Sequence, residues 1–280
     1  MVLAQLLFAL MAIGARIGGR DVPWQEVAAT RFMVGAMTAF LLARVRGQSL
    51  RITSLGDAWL RSFFGTLSAA GTFFVYAAPG LPIGDAVTLL STSPIFVTLV
   101  SAPILGERVR RASSIALALG FAGIVVIAQP SFATSAPVVL AGAGASLASA
   151  LAMVWLRRVG QKESSEAIVF HFSCVGFVAM LVASIAVWKA PSLYDAPALG
   201  LMGLSGGLAQ IAMTRAYALD DAARVSIVGF SGVVLMRLLA VPVFGEIPSP
   251  SQAGGSLLVI ASGVLLGSAP RSSRRDARSP

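Results

Sequence analysis

Four hydroxyl residues, Thr88, Ser91, Thr92 and Thr98, fall within one sector of roughly 120° if the stretch 82–106 is a helix turning about 100° per residue. Other apolar stretches carry comparable faces. Gln210, Met213, Thr214 and Tyr217 share one, and Ser226, Gly229, Phe230, Val233 and Arg237 share a second. Ala69, Thr72, Phe73 and Tyr76 form a third, and Ser146, Ser149 and Met153 a fourth, with Trp155 close by. Hydroxyls, an amide and aromatic rings on one face can hold a small amphiphilic molecule, with rings against its apolar part and polar groups at its charged ends. The competing reading is hydrogen bonding between helices, or from a hydroxyl to its own backbone. For the two tyrosines, anchoring at a membrane interface competes.

The cations offer other chemistry. His171 is the single histidine; it could carry a proton or donate to a ligand carboxylate, or it could be a satisfied core residue. Arg31, Arg215 and Arg237 lie inside apolar stretches. Arg31 and Arg215 are near enough to segment ends to reach an interface, whereas Arg237 lies deeper and is placed to receive an anionic group. The candidate substrate-binding set is thus Tyr76, Phe73, Ser91, Thr92, Trp155, His171, Gln210, Met213, Tyr217, Phe230 and Arg237.

Asp85, Glu107, Asp220, Asp221 and Glu246 all fall at segment ends, so no buried Asp/Glu proton relay is indicated. Glu107 and Glu246 are expected to pair with arginines or to cap helices. Cys174, the one cysteine, excludes an internal disulfide framework and a cysteine metal cluster. No nucleotide loop, zinc motif or nucleophile triad is present, and Gly142-Ala143-Gly144 is too weak for a phosphate loop. The expectation is a protein that is not an enzyme, with no cofactor and no metal.

These faces need elements to carry them. The chain is 56% hydrophobic and 12% charged, about half the charged fraction of roughly 25% in ordinary soluble domains. No charge occurs from Ala112 to Leu156. This is the composition of an all-α, polytopic membrane protein. The net charge of +9 is then read by position, as a marker of cytoplasmic loops rather than of nucleic-acid binding. Ten apolar segments are expected, at about 2–18, 24–43, 58–79, 82–106, 111–129, 137–157, 165–188, 196–219, 222–245 and 252–269. Residues 1–13 lack the basic start and cleavage site of a secretory signal and read as a first spanning helix that begins abruptly. Gln129-Pro130 through Pro137 is the one linker expected between halves, and the Ser/Arg-rich tail 271–280 reads as disordered.

The segments repeat. Gly106-Glu107 is echoed by Gly245-Glu246, Arg31-Phe32 with Gly35 by His171-Phe172 with Gly176, Tyr76-Ala77 by Tyr217-Ala218, and Phe121 with Gly123 by Ala261 with Gly263. The offset stays between 139 and 141 residues. Two halves follow, 1–130 and 137–270, each of five helices, with 271–280 as a basic tail. An odd number per half inverts the second half, which is the plan of secondary transporters with a central site. With both termini in the cytoplasm, 15 Arg and Lys residues lie inside and three outside, as the positive-inside rule requires. Arg61 is counted among the inside charges. Small residues spaced by four, at Ala112, Ala116 and Gly120, at Gly144, Ala148 and Ala152, and at Gly263 and Gly267, mark close helix packing, with helices five and ten as struts. Pro94, Pro103 and Pro242 are expected to kink or locally open helices four and nine.

Two five-helix halves, each with a Gly-Glu closing its fourth helix, resemble EamA-type members of the drug/metabolite transporter superfamily. The resemblance covers nearly the whole chain, and Pro94–Glu107, Arg31-Phe32 and the Tyr-Ala pairs carry it. Val233 stands opposite Pro94, so the second copy lacks that proline. The resemblance implies ten helices around a central cavity and export of metabolites across a bacterial inner membrane, most similar to the aromatic amino-acid exporter branch. The partners implied are a small-molecule substrate and the lipid bilayer, with no nucleic acid, and the protein is expected to be a monomer. The alternatives are a carrier of organic anions or sugar nucleotides using Arg215 and Arg237, and a membrane scaffold without transport.

Overall fold

Apolar runs of this length leave the backbone no partner but itself in a bilayer, so they fold as helices. The computed structural model describes residues 1–18, 22–78, 83–107, 109–129, 135–189, 192–245 and 249–268. Among these residues the chain is all-helical, without a strand. The helices are α1 (Val2–Gly18), α2 (Trp24–Val45), α3 (Leu55–Ala77), α4 (Ile83–Leu90), α5 (Ser93–Leu105), α6 (Arg111–Ala128), α7 (Ala136–Val159), α8 (Ser165–Ser184), α9 (Ala196–Leu219), α10 (Ala222–Val228), α11 (Ser231–Phe244) and α12 (Pro250–Ser268). Eight helical stretches among them are long and apolar enough to cross a membrane, and Val2–Ala15 is a shorter apolar helix. With α4–α5 and α10–α11 each taken as one interrupted span, the helices form about ten spans. Glu246, Arg20, Arg108, residues 130–134, the tail 271–280 and the side chain of Asp85 lie outside what is described.

The main pairings are α1 on α9, α2 on α8, α3 on α7 and α6 on α12; α2–α9, α3–α8, α5–α7 and α1–α11 follow, with α5 against α10. Exchanging each of the first five spans with its counterpart five spans later leaves this set of pairs unchanged. Phe32 and Phe172, 140 residues apart in the chain, meet edge to face, centroids 5.2 Å apart at 85°.

Small residues set the closest approaches. At the α6–α12 seam a Cβ on Gly123 would stand 2.7 Å from the Gly255 carbonyl, and one on Gly255 2.8 Å from that of Gly123. Ser262 Oγ donates to the Ala116 carbonyl at 2.8 Å across the same seam. Helices five and ten therefore pair with each other, but Gly263 and Gly267 face open space, as does Gly144 on α7. The packing stripe of α12 is Gly255, Val259, Ser262 and Leu266. A run of small residues identifies a helix that can pack closely, not the face it uses.

The end of the bundle where α3, α8 and α10 begin is tied by charge. Glu163 accepts from the N–H and hydroxyl of Thr53 (2.8 and 2.6 Å) and of Ser54 (2.7 and 2.8 Å), closing the start of α3. Burial alone would raise its carboxyl, but these four hydrogen bonds outweigh it and hold the group at about 2. Lys162 and Arg158 reach Asp57 at 2.9 and 3.4 Å. Buried Glu166 takes Arg46 at 2.8 Å and Arg215 at 2.6 Å.

Candidate functional site

Two spans are broken near their middles. Pro94 has no N–H to give the Leu90 carbonyl, so α4 cannot run into α5. The loose backbone is satisfied locally. Thr92 donates to the Leu89 carbonyl from its hydroxyl at 2.6 Å and its N–H at 3.2 Å. Ser146 of α7 donates across to the carbonyls of Leu89 (2.9 Å) and Leu90 (3.3 Å). The second break, between α10 and α11, has no proline. There Gly229, Phe230, Gly232 and Val233 each donate three residues back, to Ser226, Ile227, Gly229 and Phe230 at 2.9 to 3.1 Å, which is 3₁₀ geometry. The Pro94 kink was legible in sequence; the break opposite it, with Val233 in the proline's place, was not. Pro103 and Pro242 lie inside α5 and α11.

A cavity of about 210 Å³ opens between the two breaks. From α4–α5 it is lined by Leu90, Ser91, Ser93 and Pro94, and from α10–α11 by Ser226, Gly229, Phe230 and Val233. Helix α7 adds Ser149 and Met153, α9 adds Met213 and Tyr217, and α1 adds Met1 and Gln5. The lining combines thioethers and aromatic rings with hydroxyls and one amide. Ser226 Oγ is held by the Ala223 carbonyl at 2.8 Å. A second cleft, of about 280 Å³, is lined by Glu107, Arg157, Arg158, Gln161 and Asp221 at the charged end. Its charges are mutually engaged. Arg157 reaches Glu107 at 3.1 Å and Asp221 at 3.9 Å, and donates to the carbonyls of Tyr217 and Ala218 at 2.9 and 2.8 Å. Glu107 both pairs and caps, accepting the Ala222 N–H at 2.9 Å. Burial pushes its carboxyl up, and the Ala222 N–H and Arg157 only partly offset this.

Of the sequence-derived candidates, Ser91, Met213, Tyr217 and Phe230 line the cavity together. The others stand elsewhere. Thr92 serves the first break. Gln210 is buried on α9, one turn before Met213 and Thr214. Phe73 stacks on Trp24, 6.5 Å away at 11°. Tyr76 is 54% exposed in the last turn of α3. Trp155 lies under the Arg158 guanidinium at 5.1 Å. His171 meets Ser62 Oγ at 2.8 Å through Nδ1 and Trp59 edge to face at 4.9 Å, between α3 and α8. Arg237 is half-buried on α11, and Arg215 is bound by Glu166.

Two residues escaped the sequence reading. Gln5 is the one amide in α1, and a lone amide in an apolar span is expected to face the interior. Arg61, counted as a charge at the inner membrane face, is 2% exposed and lies inside the bundle. Glu26 and Glu166, 140 residues apart, give no such signal, because both stand in first helical turns, where a carboxylate is ordinary.

A family model for EamA-like transporters matches residues 1–129 and again 136–268. The chain belongs to the EamA-like transporter family. It is 29% identical over 266 residues to the pseudopaline exporter of Pseudomonas aeruginosa, covering 93% of this chain and 92% of that protein. It is 23% identical over 236 residues to the S-adenosylmethionine uptake transporter of Rickettsia felis, covering 84% and 80%. One protein crystal structure superposes with a TM-score of 0.84 at 22% identity, over 95% of this chain and 96% of the other, which shows that the fold is shared. This EamA-family chain is therefore a multi-span membrane transporter.

Proposed function

We propose that this EamA-family protein exports a small amphiphilic metabolite, an amino acid with an aromatic or large apolar side chain first, across a bacterial inner membrane. The observation that carries the reading is the cavity between the two interrupted helices, the place where transporters bind substrate on broken spans. Met153, Met213, Tyr217 and Phe230 suit an apolar side chain, and Ser91, Ser149 and Gln5 suit an ammonium group. Its 210 Å³ is below the roughly 300–1,000 Å³ of pockets for drug-sized ligands, which favours an amino acid over a sugar nucleotide. Arg215, bound to Glu166, is a poor anion site.

The reading takes 1–130 and 137–270 as inverted repeats that open alternately to the two sides, with both termini cytoplasmic. The exchange-symmetric helix pairing and the Phe32–Phe172 contact support it. The test is counterflow in proteoliposomes loaded with unlabelled phenylalanine. Labelled phenylalanine is expected to accumulate, while glutamate and a sugar nucleotide run in parallel do not. Accumulation of the sugar nucleotide alone would overturn the reading.

A further inference from the structure

Gln5 is the one amide among the side chains that line the cavity, and α1 carries it against α11, beside the second break. Its Oε1 occupies the space a side chain on Gly232 would need. Its Nε2 lies 3.6 Å from where a Cβ on Gly229 would stand, and Gly229 itself lines the cavity. The two glycines form a seat for the carboxamide at the edge of the cavity. No hydrogen bond holds it there, for the Gln5 amide has no partner among the described residues. The lining hydroxyl of Ser226, by contrast, is bonded to the Ala223 carbonyl. An amide that faces a cavity unpaired is free to bind what enters.

The cavity also lacks charge. Among the described residues that line it there is no Asp, Glu, Lys, Arg or His. The charges gather in the other cleft, where Glu107, Arg157, Arg158 and Asp221 meet. A cargo with a net charge would leave water with no opposite charge to receive it, which is unfavourable. A zwitterion brings its own counter-charge and needs only dipoles at its two charged groups. A carboxamide suits that task, because it holds donor and acceptor on one planar group and favours neither sign.

We propose that Gln5 sets the charge selectivity of the cavity: its amide, seated on Gly229 and Gly232, binds the polar end of a zwitterionic cargo that carries no net charge. This rests on the transport reading above and narrows it from amphiphilic metabolites to net-neutral ones. Gly232 is the positioning residue.

The test pairs thermal unfolding of the purified full chain in detergent with counterflow in proteoliposomes. The probes share one ring and differ in charge: phenylalanine is a zwitterion, phenethylamine a cation and phenylacetate an anion. Wild type is expected to bind phenylalanine about tenfold or more tighter than either ion, read as half-saturation of the melting shift. Gln5→Leu should weaken phenylalanine by about tenfold without favouring either ion. Gln5→Glu puts a carboxylate in the same seat and should reverse the order in favour of phenethylamine. Gly232→Ala should weaken phenylalanine as Gln5→Leu does. Its ligand-free protein should melt no lower than wild type, since alanine is the better helix former and its methyl group displaces only the flexible end of Gln5. A glutamine that merely packs α1 on α11 would lower the melting temperature and leave the order of the probes unchanged. Should either Gln5 variant fail to fold, Gly232→Ala decides alone.

No shift by phenylalanine, equal half-saturation for the three probes in wild type, an unchanged order in Gln5→Glu, or phenylalanine binding untouched by Gly232→Ala would overturn the assignment. Phenylalanine counterflow in Gln5→Leu at the wild-type half-saturation would overturn it too, while leaving the export reading in place. The expected melting shifts in a protein without phenylalanine counterflow would support Gln5 as the selectivity residue and count against amino-acid export.

Discussion

The break after Leu90 contains a proline and recruits Ser146 from α7 to its freed carbonyls; the break after Val228 has neither, and closes on itself through 3₁₀ hydrogen bonds. The same interruption of a spanning helix is reached by two routes. In the first, covalent chemistry forbids the helix and a neighbour supplies the missing donor. In the second, Gly229 lets the backbone tighten, and Gly232 leaves room for Gln5 of α1 to lie against α11. What the two breaks share is the cavity they line, not the residues that make them.

Glu26 and Glu166 show the same divergence. Both are buried in the first turn of their helices, α2 and α8, which pack against each other. Glu166 holds Arg46 and Arg215. Among the described residues Glu26 accepts the Lys189 N–H, at 2.5 Å through Oε1, and its Oε2 has no partner. Among the described residues, one end of the bundle is therefore tied by ion pairs at a position where the other end is tied by a single backbone hydrogen bond.

The largest expected effect separates these two glutamates. Glu166→Gln strands two arginines and should cost about 2 kcal/mol in thermal unfolding, less than a fully buried pair because both guanidiniums are partly exposed. Glu26→Gln should stay within about 0.5 kcal/mol. Similar losses in both would mean that the two ends are tied alike. Next comes Ser146→Ala, which leaves the Leu90 carbonyl without a donor and should cost about 1–2 kcal/mol. A smaller effect belongs to Glu163, which ties the turn before α8 to the start of α3. Its carboxyl is lowered from 4.5 to about 2, so the stability it adds is complete above about 4.5 and is lost as pH falls toward 2. Wild type should lose melting temperature across that window relative to Glu163→Gln; parallel curves would show that the four hydrogen bonds carry no linkage. The smallest effect is expected for Ser226→Ala, within about 0.5 kcal/mol, because its hydroxyl serves only its own helix. A loss as large as that of Ser146→Ala would erase the contrast between the breaks.

Hydrophobic content, charge-free runs and the 139–141 residue echo were enough to give the all-helical membrane class, about ten spans and most boundaries to within a few residues. They were enough because a bilayer leaves an apolar stretch of this length few choices besides a helix. The polar faces of α5, α7, α9 and α10–α11 were also legible, since side chains at helical spacing share a side whatever the helix packs against. Which of those faces meet was decided by tertiary structure. Ser146 and Ser149 have the same residue type on the same helix, yet one hydroxyl is spent on a broken backbone and the other opens on the cavity. Gly263 reads as a packing residue and faces open space, and Arg61 reads as an interfacial charge and lies buried over Phe172. Sequence spacing fixes the angle of a side chain about its own helix axis. The rotation of that helix against its neighbours, and the direction a long side chain takes along it, are set only when all the helices pack together.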